Sequence, residues 1–113
     1  MKSETRPWGE FTVLKETDFY KTKEIIVKMG KRLSYQFHNK RSEIWVITKG
    51  KALVTLNDKN FNYKEGDVVF IQEGSKHRVE NIGSVDLVLI EVQRGSYFGE
   101  DDIIRLEDDF NRI

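Results

Sequence analysis

The chain holds only two histidines, His38 and His77. His38 sits in the run Gln36-Phe37-His38-Asn39-Lys40-Arg41-Ser42-Glu43. Residues two apart on a strand face the same way, so Gln36 and His38 can project together into a sheet interior. Glu43 opens the apolar run Ile44-Trp45-Val46-Ile47, and His77 opens a second run after the break Gln72-Glu73-Gly74-Ser75-Lys76. Should those two runs be neighbouring strands, one amide oxygen, two imidazoles and one carboxylate converge. That is a donor set for one divalent first-row metal ion, with room left for water or a substrate. Zinc is the first expectation, with manganese, cobalt, nickel and iron also served by such ligands. The competing reading makes these residues ordinary loop side chains at strand starts.

A bound dication in this setting is a Lewis acid for a carbonyl or hydroxyl oxygen. Cations crowd the same stretches: Lys31, Arg32, Lys40, Arg41, Lys76 and Arg78. They suit an anionic, phosphorylated ligand. Arg41 lies between His38 and Glu43 and so is expected near the metal. Arg41, Lys76 and Arg78 are the expected phosphate contacts, and Tyr35 a further substrate contact. Lys40 and Glu100 are the expected proton carriers, with Arg41 beside them. No Gly-rich phosphate loop, serine nucleophile motif or CxxC pair accompanies these residues.

The elements that must position them read as strands. Runs rich in Val, Ile, Phe, Tyr and Thr occupy 10–14, 20–27, 33–38, 43–48, 52–56, 60–63, 68–71, 77–81 and 87–93. Gly- and Asn-containing breaks separate them, which predicts an all-β sandwich or barrel. With Glu43 placed inward, alternation puts Trp45 and Ile47 inward too; with His77 placed inward it does the same for Val79 and Asn81, leaving Arg78 and Glu80 outward. Val68–Ile71 and Leu87–Ile90 are apolar throughout, so both their faces need cover. A second subunit could supply it, which predicts a homodimer; the N-terminal segment is the alternative. The acidic stretch Gly99–Phe110 reads as a solvated arm in which Asp101 or Asp102 caps a short helical turn.

The 113 residues are expected to form one domain: an N-terminal arm over about 1–9, a barrel over about 10–94 and a tail over about 95–113. Formal net charge is zero and there are no cysteines. The balance argues against nucleic-acid binding. The absence of a long apolar run argues against membrane insertion, and with the cysteine count it predicts a cytoplasmic location.

Two glycine-bounded patterns carry a resemblance. One is Gly30, five residues, Gln36, one residue, His38, four residues, Glu43, six residues, Gly50. The other is Gly66, seven residues, Gly74, two residues, His77, three residues, Asn81. They resemble the two motifs of the cupin superfamily, which has His where Gln36 stands and commonly Pro where Gln72 stands. Arg6-Pro7-Trp8-Gly9, Leu33-Ser34-Tyr35-Gln36, Glu43-Ile44-Trp45-Val46, Lys76–Asn81 and Ile90–Arg105 are similar to the type II mannose-6-phosphate isomerase domain. That domain is the C-terminal part of bifunctional isomerase/mannose-1-phosphate guanylyltransferases.

The resemblance implies a double-stranded β-helix, or jelly-roll, cupin barrel with a short irregular or helical C-terminal tail. It implies a metal held by Gln36, His38, Glu43 and His77. It also implies interconversion of mannose 6-phosphate and fructose 6-phosphate through a cis-enediol(ate), without guanylyltransferase activity. The family's run of histidines is replaced here by His38-Asn39-Lys40, and another histidine by Ile44, so its candidate proton carriers are missing. The alternatives are a metal- or sugar-binding module without turnover, working beside a separate nucleotidyltransferase, or another carbohydrate-modifying cupin.

Overall fold

The computed structural model describes residues 2–112; Met1 and Ile113, the ends of the expected domain, lie outside the described residues. Eleven strands run in chain order: β1 (Lys2–Arg6), β2 (Gly9–Glu16), β3 (Tyr20–Val27), β4 (Tyr35–Phe37), β5 (Arg41–Lys49), β6 (Lys51–Leu56), β7 (Lys59–Lys64), β8 (Val68–Ile71), β9 (His77–Asn81), β10 (Leu87–Gly95) and β11 (Ile104–Glu107). The only helical turn among the described residues is a 3-10 turn at Glu100–Asp102. The strands form a six-stranded sheet, β1-β2-β3-β10-β5-β8, and a five-stranded sheet, β11-β4-β9-β6-β7. Every pairing is antiparallel. This is the expected all-β jelly roll. Among the described residues no helix is long and apolar enough to cross a membrane.

Period-two patterning builds the interior. On β5 the buried positions are Arg41, Glu43, Trp45 and Ile47; on β10 they are Leu87, Leu89, Glu91 and Gln93. Register stacks these into rows across the large sheet. Phe11, Ile25, Leu89 and Ile47 form an apolar row. The next row is Lys23, Glu91, Trp45 and Val69, and the one beyond it is Lys21, Gln93, Glu43 and Ile71. The smaller sheet changes in step, from Val54 opposite Val79 to Leu56 opposite His77 opposite Gln36. One end of the interior is therefore hydrocarbon and the other polar. Local chemistry fixes the register at the β6–β7 hairpin, where Asn57 and Asp58 both take positive φ (49° and 69°), as a two-residue type I′ turn requires.

Three sequence expectations need correction. Lys2–Arg6 is not a loose arm but a strand on the β2 edge. The tail is not a free arm: Ile104–Glu107 pairs with β4 and half-buried Phe110 packs on the core, although Glu100, Asp101, Ile104, Leu106, Glu107 and Asp109 stay exposed as expected. Neither Asp101 nor Asp102 caps the 3-10 turn, whose N-cap is Gly99 without a side-chain bond. Asp102 instead points back to the 38–40 loop, accepting hydrogen bonds from the backbone N–H of Asn39 (3.2 Å) and Lys40 (2.9 Å).

Candidate metal centre and its cavity

Three of the four expected ligands meet. His38, Glu43 and His77 each offer an atom, and these atoms lie within 4.8 Å of one another. All three side chains are buried. They come from both sheets: Glu43 from β5, His77 from β9, and His38 from the turn just after β4.

The main chain sets both imidazoles. His77 donates from Nδ1 to the Ser75 carbonyl (2.9 Å), and His38 donates from Nδ1 to the Asp102 carbonyl (3.3 Å). Each then presents the lone pair of Nε2 to the centre, the arrangement usual for a metal-bound histidine. His77 Nε2 is buried with no hydrogen-bond partner among the described residues and stands 3.9 Å from Glu43 Oε1. His38 Nε2 is 3.1 Å from Glu43 Oε2. Lone pairs facing a carboxylate at these distances need positive charge between them. Arg41 supplies part of it, donating from Nε to Glu43 Oε2 (3.0 Å) and from Nη2 to His38 Nε2 (3.2 Å). The three residues fit a divalent metal by this donor chemistry.

Gln36 stands at the edge of the cluster. Its Oε1 accepts from Ser34 Oγ (2.6 Å), and its amide nitrogen faces His38 Nε2 at 3.5 Å. Turning the amide over would bring its oxygen to the centre. The Ser34 hydroxyl accepts as well as donates, so it would keep its bond.

Electrostatics follow from burial and neighbours. Burial pushes the Glu43 carboxyl up, but His38, His77 and Arg41 together bring it well below the usual range. Burial lowers His77, against the opposing pull of Glu43. Glu91 is raised to about 8, first by burial and then by the charge of Glu43, with Lys23 and Arg41 opposing. Trp45 Nε1 donates to Glu43 Oε1 (2.9 Å) and fixes the carboxylate plane.

Beside the metal centre a cavity opens, with about 480 Å³ of atom-free space, its mouth included. Gln36 and Arg41 form the wall shared with the centre; Lys23, Glu91, Glu100 and Arg105 line the rest. Glu100, one expected proton carrier, faces this cavity. Lys40, the other, is exposed and stands over the Tyr97 ring at 5.1 Å. Lys76 and Tyr35 lie elsewhere, both bonded to Asp58, through Lys76 Nζ (2.8 Å) and the Tyr35 hydroxyl (2.7 Å). Arg78 faces outward as parity predicts, yet it is buried, donating to the Leu33 carbonyl (3.0 Å) and lying 3.8 Å from Glu107 under the tail. None of Lys76, Tyr35 and Arg78 lines the cavity.

Sequence reasoning missed Lys23, Glu91 and Arg105. For Glu91 the signal was available: a carboxylate two residues beyond Leu89 on a strand whose odd positions face inward. Lys23 follows the same logic on β3. Arg105 had none, because its strand was not expected.

Comparison with known proteins agrees with this geometry. Residues 2–108 match the family described as mannose-6-phosphate isomerase C-terminal. The alginate biosynthesis protein AlgA of Pseudomonas aeruginosa is 46% identical over 95% of this chain, and a mannose-1-phosphate guanylyltransferase of Klebsiella pneumoniae 44% over 95%. The chain spans only 22% and 23% of those relatives. Among solved structures, the capsular polysaccharide assembling protein CapF of Staphylococcus aureus superposes with a TM-score of 0.80 at 25% identity, over 94% of this chain and 34% of that one. With its jelly-roll fold and a match over nearly its whole length, the chain belongs to the mannose-6-phosphate isomerase C-terminal family of cupins.

Proposed function

We propose that this chain interconverts mannose 6-phosphate and fructose 6-phosphate with a divalent metal held by His38, Glu43 and His77, and by Gln36 as a fourth ligand. The observation that carries the reading is the partnerless Nε2 of buried His77, aimed at Glu43 beside a cation-lined cavity. Zinc, manganese, cobalt, nickel and iron all suit these ligands. Such an ion supplies Lewis acidity toward adjacent sugar oxygens.

The protein's own residues do the rest. Arg41 bridges the metal centre and the cavity and orients an anionic substrate between them. The reaction moves a proton between C1 and C2, through a cis-enediol(ate) of the sugar. Both imidazoles commit Nδ1 to backbone carbonyls and are poor carriers for that proton. Glu91 and Glu100 are the carboxyls on the cavity wall, and burial raises Glu91 above the usual carboxylate range, toward that of a general acid or base. A cytoplasmic location suits a phosphosugar substrate.

The assay is coupled isomerase turnover on purified protein supplied with each metal in turn. Turnover with at least one, abolished by chelator, is the expected result. Measurable sugar-phosphate binding with no turnover would establish the second reading, a binding module beside a separate nucleotidyltransferase. The missing family histidines at Asn39, Lys40 and Ile44 favour that reading.

We also propose a homodimer through the outer face of β8, where Phe70 and Val68 are 66% and 45% exposed. Light scattering should give twice the 13.3 kDa chain mass, and Phe70→Lys should halve it; a monomeric wild type would refute the dimer.

A further inference from the structure

We propose that Arg105, with Lys23 and the outer edge of Arg41, forms a phosphoryl-binding subsite on the cavity wall away from the metal centre. The identity of the ligand as a phosphorylated sugar rests on the isomerase reading; the anion site does not.

Two buried guanidinium nitrogens on this cavity lack hydrogen-bond partners among the described residues: Nη1 of Arg41 and Nε of Arg105. They arrive from different sheets, Arg41 on β5 and Arg105 on β11. Arg41 is only 3% exposed. Among the described residues Arg105 has no carboxylate within 4.0 Å, whereas the other arginines on the wall do: Arg112 is held by Asp108 (2.7 Å) and Arg6 by Glu4 (3.1 Å). Burial and then the like charge of Arg112 lower the pKa of Arg105, with the more distant carboxylates of Asp108 and Glu100 opposing.

Lys23 is buried, stacked over the Phe11 ring at 4.2 Å. The carboxylates facing the site are Glu91 and Glu100. Glu100 Oε2 stands 3.6 Å from Lys23 Nζ and 3.8 Å from Arg41 Nη1, near enough to attract and too far to hydrogen-bond. It is half-exposed and leaves room for a better acceptor. A buried donor without a partner is costly, so an anion that satisfies several at once is favoured. A phosphomonoester presents three strong acceptor oxygens to the donors of three side chains that line one cavity, and guanidinium forks suit such an anion. The subsite replaces Lys76 and Arg78 as the phosphate contacts, since both are bonded elsewhere.

Calorimetric titration of the metal-free chain with inorganic phosphate, fructose 6-phosphate and fructose tests this. Phosphate and fructose 6-phosphate should bind and fructose should not. Arg105→Gln should weaken both by at least tenfold while zinc affinity stays within twofold; Lys76→Ala should leave both within twofold. Unchanged binding in Arg105→Gln, loss of binding in Lys76→Ala, or no binding to the wild type would each overturn the subsite. Should Arg105→Gln fail to fold, the side-chain Nε–H resonances of wild-type Arg105 and Arg41 must shift with added phosphate, and their silence overturns it equally. Phosphate binding without turnover would leave the subsite standing and remove the isomerase reading; turnover without phosphate binding at Arg105 would do the reverse.

Discussion

The two ends of the interior are built on the same strands and do opposite things. On β10, Leu87 and Leu89 meet hydrocarbon, while Glu91 and Gln93, two and four residues further on, meet charge. On β5, Ile47 and Trp45 give way to Glu43 and Arg41. The apolar end stabilises the fold by burial. The polar end concentrates side chains that burial disfavours: two imidazoles, two carboxyls, a lysine and a guanidinium, with Gln93 Oε1, Arg41 Nη1 and His77 Nε2 left unpaired. A domain of this size has one core, so the polar end must be carried by the other. The contrast teaches that function here was placed by moving along a strand and not by adding a loop.

That contrast can be broken most forcefully at Leu89. Leu89→Ala should cost about 2–5 kcal/mol in urea unfolding, with the metal affinity of the folded fraction unchanged. A large change in that affinity would show that the two ends are not separable. Next comes Glu43→Gln, which keeps the shape and removes the charge. Metal affinity should fall by about 100-fold or more, beyond the roughly 10–100-fold loss seen for outer partners of ligands. Metal binding within tenfold of wild type would exclude Glu43 as a ligand.

The smallest effect concerns pH. Glu91 has its folded pKa raised to about 8 from 4.5. Its contribution to stability is therefore full below about pH 4.5 and is lost as pH rises through 8. Metal-free wild type should lose about 1–3 kcal/mol relative to Glu91→Gln between pH 5 and 8. His77, lowered in the fold, acts in the opposite direction but is present in both proteins. Parallel stability curves for the two would mean that Glu91 is already charged.

Much of this was legible before any coordinates. Once Glu43 and His77 were placed inward, alternation put Trp45, Ile47, Val79 and Asn81 inward with them, because residues two apart on a strand share a face. The proposed phosphate contacts were not legible in the same way. Lys76 and Arg78 flank His77 in sequence, but the backbone turns their side chains to Asp58 and to the tail. Polar β1 escaped notice because its strand character comes from the free edge of β2, and β11 because four alternating residues, Ile104–Glu107, lie inside an acidic stretch read as an arm. Without β11 nothing could bring Arg105 to the cavity that Lys23, Arg41 and Glu91 line from more than ten residues upstream.

The final strand is also fastened unusually. Ile104 and Leu106 are about two-fifths exposed, so little oil holds it. Its flank is tied by charges instead: Asp109 to Arg32 at 2.8 and 2.9 Å, and Glu107 to Arg78 at 3.8 Å. Dissolved ions weaken ties of that kind, and hydrocarbon contacts are not weakened with them. Ionic strength therefore acts as a clasp-loosening variable for one side of the pocket while the barrel behind it stays shut.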